Sequence, residues 1–286
     1  MIYQFFDVGY FVLLFLIDKD MKKWEIYINF SDIHYFHKNI FKYSAWTDLR
    51  DRSYIDWNLE ESNYHMHLLL VNSLENAYNI IYNEILNNWL NEIKIFLMNL
   101  WDYIFNLSQT KLNKFKELIR KSKNDKNKWT ILEEFYKLNE RLRIEILKQQ
   151  DIFILSEYSY FIYWNHDNFT GVTNELLFDK NYKKDKYDNY VFFFEKSIID
   201  NNWNKIRFFW THYPLFWHIS RYSIQWNDFI KVNENIIDNI ISNNNLETTY
   251  TYNIHWHIHN NPICEKIKEV GIKNNIQFIN VSVDKK

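Results

Sequence analysis

Apolar residues fall into short blocks along this chain, separated by polar stretches rich in Asn and Lys, and the spacing inside each block predicts its structure. Glu25 to Phe30 (EIYINF) has strand character and ends at Ser31-Asp32. From Asn63 to Leu90 the apolar positions Leu68, Leu69, Val71, Leu74, Ile80 and Ile81 return at helical spacing. Ile93 to Leu100 (IKIFLMNL) is a short apolar run suited to a buried strand. Leu107 to Gln150 is charged and helical in pattern, with Phe115, Leu118, Ile119, Leu132, Phe135, Leu138, Leu142 and Ile146 mostly a helical turn apart. Its Lys-rich part, Lys121 to Lys128, divides it into two helices. Ile152 to Tyr163, Val191 to Ile199, Lys205 to Trp210, Tyr250 to Ile254 and Gln277 to Val283 are further strand candidates. Glu265 to Val270 predicts a short helix closed by Gly271.

Strands and helices in this order fit α/β layers around a sheet core. No Pro-, Gly- or Ser-rich linker and no internal repeat divides the chain, so residues 21–286 read as a single domain, with a helical insertion around 107–150. The start of the chain reads two ways. Val8 to Ile17 (VGYFVLLFLI) is too short to span a bilayer and lacks the basic opening of a secretory signal. Residues 1–20 are either a dispensable extension ahead of Met21 or an ordinary N-terminal strand or helix.

Composition adds limits. Hydrophobic residues make up 47% and charged residues 24%, ordinary for a globular protein, and 286 residues suffice to bury a sizeable core. A formal net charge of −2 gives no global field favouring nucleic acid or an anionic membrane, so no membrane partner is expected and a nucleic-acid partner is not indicated. Cys264 is the only cysteine, which excludes an intrachain disulfide and a thiolate zinc site and makes a reducing, cytoplasmic setting the expectation.

Candidate chemistry gathers where predicted strands end. Asp32-Ile33-His34, then Asp102, then Asn165-His166-Asp167, then His212, then His257-Ile258-His259 each follow an apolar strand-like run. Open α/β sheets place their sites at such carboxyl ends. In D-x-H and H-x-H both side chains lie on the same side of an extended chain. Imidazole, carboxylate and amide oxygen together suit divalent ions such as Mn, Fe, Ni and Zn. An isolated H-x-H carries little weight: His65-Met66-His67 falls in a predicted helix, where i and i+2 diverge. His218 and His255 read as structural, and His37 as either a surface histidine or one near substrate.

The order D-x-H, D, N-H-D, H, H-x-H resembles the signature of the calcineurin-like metallophosphoesterases, and the resemblance runs along nearly all of Glu25 to Asp284. Ser31 to Ile40 (SDIHYFHKNI) is similar to the S-D-T-H-F-G-H-x-N-I opening of small bacterial and phage members. His212-Tyr213-Pro214 and Asn280 to Asp284 (NVSVD) are similar to their H-Y-P and N-V-G-V-D segments. The resemblance implies a four-layer αββα sandwich of two mixed sheets flanked by helices. It implies two divalent metal ions: one on Asp32, His34 and His259, the other on Asn165, His212 and His257, with Asp102 bridging. The implied reaction is hydrolysis of a phosphate mono- or diester by a metal-bridging hydroxide. In it His166 would protonate the leaving alkoxide and Asp167 would orient His166.

The chain departs from this family at its glycines. Three motif glycines are replaced, by Trp101, Trp164 and Trp256, and the chain holds only 3 Gly against 12 Trp, where roughly 20 Gly would be usual. Taken literally, an indole beside each ligand crowds a backbone that must turn sharply. The counts fit a gene whose UGA codons mean glycine but are read as tryptophan, in which case Trp101, Trp164 and Trp256 are glycine, while Trp46, Trp57 and Trp217 read as genuine. The alternatives to a phosphoesterase are a scaffold of the same fold with a spoiled site, and a nuclease whose Lys121 to Lys128 run touches phosphates.

Overall fold

The computed structural model describes residues 1–30, 59–86, 88–99, 131–161, 193–211, 249–255 and 275–281, together with residues 269, 271 and 272. They form an α/β fold with two mixed sheets. In chain order the elements are β1 (Ile2–Val8), β2 (Phe11–Asp18), β3 (Lys23–Phe30), α1 (Leu59–Leu86), β4 (Glu92–Asn99), α2 (Ile131–Leu147), β5 (Ile154–Phe161), β6 (Phe193–Ile199), β7 (Lys205–Thr211), β8 (Thr249–His255) and β9 (Ile276–Asn280). The larger sheet has the order β1-β2-β3-β4-β5, and the smaller has the order β6-β7-β8-β9. β1-β2-β3 is an antiparallel meander, while β3, β4 and β5 run parallel. In the smaller sheet β6 is antiparallel to β7, and β7, β8 and β9 are parallel.

Alternation of side chains assigns the two faces of the larger sheet. One face carries Phe11, Leu13 and Phe15 of β2, Trp24, Ile26 and Ile28 of β3, and Ile93, Ile95 and Leu97 of β4, all buried. The helices cover this face. α1 supplies Leu70, Leu74, Ala77, Ile81 and Ile85, and α2 supplies Phe135, Leu138, Leu142 and Ile146, each set one stripe of a helix. Tyr78 of α1 donates to Asn139 Oδ1 of α2 at 2.5 Å, joining the helices through buried polar atoms. α1 stops after Leu86, where the Asn88 side chain donates to the Glu84 carbonyl at 2.7 Å and so satisfies a carbonyl left open by the last turn.

The other face packs on the smaller sheet through aromatic rings. Tyr27, Phe96 and Tyr158 stack across β3, β4 and β5, with centroids 4.5 and 5.1 Å apart. Trp210 lies 4.8 Å from Tyr27, and Phe194 lies 4.9 Å from Tyr160. At the far side Tyr3 of β1 meets Tyr252 of β8, their hydroxyls 2.7 Å apart. Lys196 of β6 reaches Glu25 of β3 at 2.7 Å, and Tyr27 donates to the same carboxylate at 2.9 Å. Burial, and next the negative charge of Glu25, push the Tyr27 hydroxyl far above its ordinary range, so it stays a donor.

Residues 2–18, the segment read as either an extension or ordinary structure, form β1 and β2. Val8 pairs with Phe11 across the two-residue loop Gly9-Tyr10, and Gly9 has φ +56, a conformation that glycine enters without a Cβ clash. β2 is buried from Phe11 to Leu16 because both of its faces are covered, which is why its sequence does not alternate. The predicted end of the last helix is corrected. Gly271 does not close the predicted helix but is itself helical, as is Ile272, and Asn275 farther on has φ +53. Gly271 is required by packing instead: a Cβ there would sit 2.6 Å from the Ile276 carbonyl oxygen and 2.4 Å from the Phe278 ring. The first half of the predicted insertion, 107–130, lies outside the described residues.

Two predictions follow from these contacts. Phe15→Ala removes a fully buried ring from the helix-facing core, and should lower the unfolding free energy by about 3–5 kcal/mol in denaturant titration. The β6–β7 turn depends on Asp200, whose Oδ1 accepts from the Asn202 and Asn204 amides at 2.8 Å each. Partial burial would raise its pKa, but the hydrogen bonds from Asn204 and Asn202 together hold it below the ordinary Asp range. Its stabilisation is therefore complete above the ordinary Asp pKa and lost as pH falls through the depressed value. The melting-temperature gap between the parent and Asp200→Asn should be present at neutral pH and close in acid.

Candidate functional site

The parallel strands of both sheets finish at one edge of the structure. Phe30, Asn99 and Phe161, the last residues of β3, β4 and β5, pair in register, so these strands stop at one level. Trp210 of β7 pairs with Ile254 of β8, and His255 of β8 pairs with Asn280 of β9. The sheets are joined near these ends by a buried hydrogen bond. Trp210 Nε1 donates to Asn29 Oδ1 at 2.6 Å, one residue before β3 ends and one before β7 ends. Asn29 uses its amide nitrogen as well, donating to the Val12 carbonyl at 2.8 Å and to the Tyr27 carbonyl at 3.2 Å. Its side chain thus ties β2, β3 and β7 together at that edge.

The chain leaves five of these six strands, β3, β4, β5, β7 and β8, into one of the sequence motifs. Phe30 is followed at two residues by Asp32 and at four by His34, and Asn99 at three by Asp102. Phe161 is followed at four residues by Asn165, then His166 and Asp167; Thr211 is followed directly by His212; and His255 is followed at two residues by His257 and at four by His259. All nine of these residues lie outside the described residues, as do His37, His218, Trp101, Trp164 and Trp256. Among the described residues no group of three or more His, Cys, Asp or Glu could hold a metal ion, and no helix is long and apolar enough to cross a membrane.

Behind the strand ends lies a polar layer that sequence reasoning did not single out. Thr211, Asn253 and His255 occupy the face of the smaller sheet turned away from the larger one, and all are buried. Asn253 Nδ2 donates to Thr211 Oγ1 at 2.8 Å, and the His255 ring meets Phe278 edge-on at 5.6 Å. His255, expected to be structural, is the last residue of β8 and is buried. Thr249, Thr251 and Phe209 on the same face are also buried, so β7 and the C-terminal half of β8 are covered on both sides. The signal for this layer was a run of Thr and Asn at every second position, 249, 251 and 253.

Comparison with protein-family models, with curated proteins and with solved structures returned no match.

The Asn29–Trp210 bond has a measurable weight. Asn29→Leu leaves a buried indole N–H without its acceptor, and Trp210→Phe leaves the Asn29 oxygen without its donor. Each should cost about 1–3 kcal/mol from the unmet polar group alone, read by chemical denaturation. The double variant should lose less than the sum of the two singles.

Proposed function

We propose that this chain is a phosphoesterase of the calcineurin-like kind, hydrolysing a phosphate mono- or diester with two divalent metal ions. The observation that carries the reading is the common edge at which β3, β4, β5, β7 and β8 end, each followed within four residues by a motif residue. Residues far apart in sequence thus leave the sheets from neighbouring points, a topology suited to a site at carboxyl strand ends. The four-layer αββα arrangement is the finer form of the fold in this proposal. Burial of Phe209, Thr211, Thr249, Thr251, Asn253 and His255 on the outer face of the smaller sheet supports it, since that face needs a covering layer.

The donor set fits two such ions. Four imidazoles (His34, His212, His257 and His259), two carboxylates (Asp32 and Asp102) and the amide of Asn165 are the mixture that borderline divalent metals take. In the proposed assignment Asp32, His34 and His259 would hold one ion, Asn165, His212 and His257 would hold the other, and Asp102 would serve both. Such a pair supplies positive charge for phosphoryl oxygens and makes water acidic enough to attack at neutral pH. The chain's own contribution is proton transfer: His166 gives its proton to the departing alkoxide oxygen, and Asp167 fixes the imidazole that does so.

A scaffold with a spoiled site is the second reading, favoured by Trp101, Trp164 and Trp256 standing next to proposed ligands. The two readings separate in one assay series. The chain carrying Trp101→Gly, Trp164→Gly and Trp256→Gly should bind close to stoichiometric metal and hydrolyse an aryl phosphate or diester. Adding Asp102→Ala or His257→Ala should abolish metal-dependent turnover. Hydrolysis that survives Asp102→Ala would sink the mechanism, and a glycine-restored chain without metal or turnover would leave the scaffold. His166→Ala should keep the metal content and slow substrates with poor leaving groups by about a hundred- to ten-thousand-fold.

A further inference from the structure

We propose that Trp203 stands where the natural protein has glycine, inserted through a UGA codon read as tryptophan, whereas Trp24 and Trp210 are genuine tryptophans. The inference rests on backbone and burial and is independent of the phosphoesterase reading. Trp203 lies in the β6–β7 turn with φ +65, the left-handed region in which a Cβ crowds the backbone. Its surroundings fix that conformation. Asp200 N donates to the Asn204 carbonyl at 2.9 Å, and Trp203 N donates to the Asp200 carbonyl at 3.2 Å. The Asp200 carboxylate holds the amides on either side of Trp203, those of Asn202 and Asn204. Nothing returns the cost through packing, because Trp203 is 85% exposed.

A positive φ alone does not single out glycine, since Lys22 (φ 52) and Asn275 (φ 53) share it. Asn tolerates this region through its short polar side chain. Lys22 occupies a turn whose carbonyl accepts from the Asn91 amide at 2.9 Å. Trp203 differs in combining the conformation with a bulky, exposed side chain, in a chain with 12 Trp and 3 Gly. The same criteria run the other way for two other tryptophans. Trp24 is 4% exposed and packs edge-on against Phe15 at 5.8 Å. Trp210 is fully buried and gives its indole N–H to Asn29. A glycine at either would open a large cavity in the core. Trp89 is exposed too, but no positive φ marks it, and the criteria do not assign it.

The test pairs the gene with the folded chain. Codon 203 should be UGA, and codons 24 and 210 should be UGG. Trp203→Gly should raise the melting temperature by about 2–4 °C, and Trp210→Gly should lower it or prevent folding. Trp210→Phe keeps the ring and so separates loss of packing from loss of the hydrogen bond. UGG at codon 203, UGA at codon 24 or 210, or a Trp203→Gly protein that melts no higher than its parent would overturn the proposal.

Discussion

The contact between Asn29 and Trp210 is the joint on which the arrangement of the two sheets depends. Aromatic rings fill the seam between the sheets, and their stacked and tilted contacts add to its cohesion. A buried amide fixes the register as well. Asn29 is fully buried, and its oxygen accepts from one sheet while its nitrogen donates within the other. Sliding by one residue would leave these polar atoms unmet in a dry seam, a penalty that few packing gains offset. The ion pair of Lys196 with Glu25 adds a second fixed point farther back along β3, although it is partly exposed and weaker for that reason.

Fixing that register has a topological result. β3 and β7 run from the Glu25–Lys196 pair toward the Asn29–Trp210 bond, so both point at the same edge. β4 and β5 follow β3 in parallel, and β8 follows β7. Parallel neighbours end together, so one inter-sheet contact is enough to bring five carboxyl ends to one edge. In the proposed function that edge is where ligands meet. The hydrogen bond lies one residue inside it, where it can fix the spacing between the sheets without occupying the site.

Much of this fold was legible because each strand carries its own local signal. β3, β4, β7 and β8 were found within a residue or two of their bounds from runs of β-branched and aromatic residues. α1 begins at Leu59, four residues before the predicted Asn63, and ends four before Leu90; helix ends depend on capping contacts such as Asn88 with Glu84, which periodicity does not encode. The N-terminal hairpin was ambiguous for a physical reason. A strand buried on both faces has no alternation to read, and Val8 to Ile17 is unbroken apart from Gly9. Gly271 misled because helix-closing and close-packed glycines look alike in sequence, and only the Ile276 carbonyl and the Phe278 ring separate them. Candidate ligands were legible as residue types after apolar runs. The joint was not, since Asn29 sits among strand residues with no pattern to mark it, and its partner lies 181 positions away.

Tryptophan carries different meanings in this chain, and the backbone distinguishes them. Buried at Trp24 and Trp210, the indole fills space and, at Trp210, meets a buried acceptor. At Trp203 it does neither and holds a conformation that suits a bulky side chain poorly. The same distinction bears on the proposed site. Trp101, Trp164 and Trp256 each follow a strand that ends at the common edge, adjacent to Asp102, Asn165 and His257. A sharp turn out of a strand favours a residue without a Cβ, because the backbone must swing while its neighbour's side chain points inward. An indole at three such places would need either a wider edge or ligands drawn apart. β3, β4 and β5 end in register, and the Asn29–Trp210 bond ties the smaller sheet to β3 one residue inside that edge. In the proposal, glycine or tryptophan at these three positions therefore separates a working centre from a scaffold of the same fold.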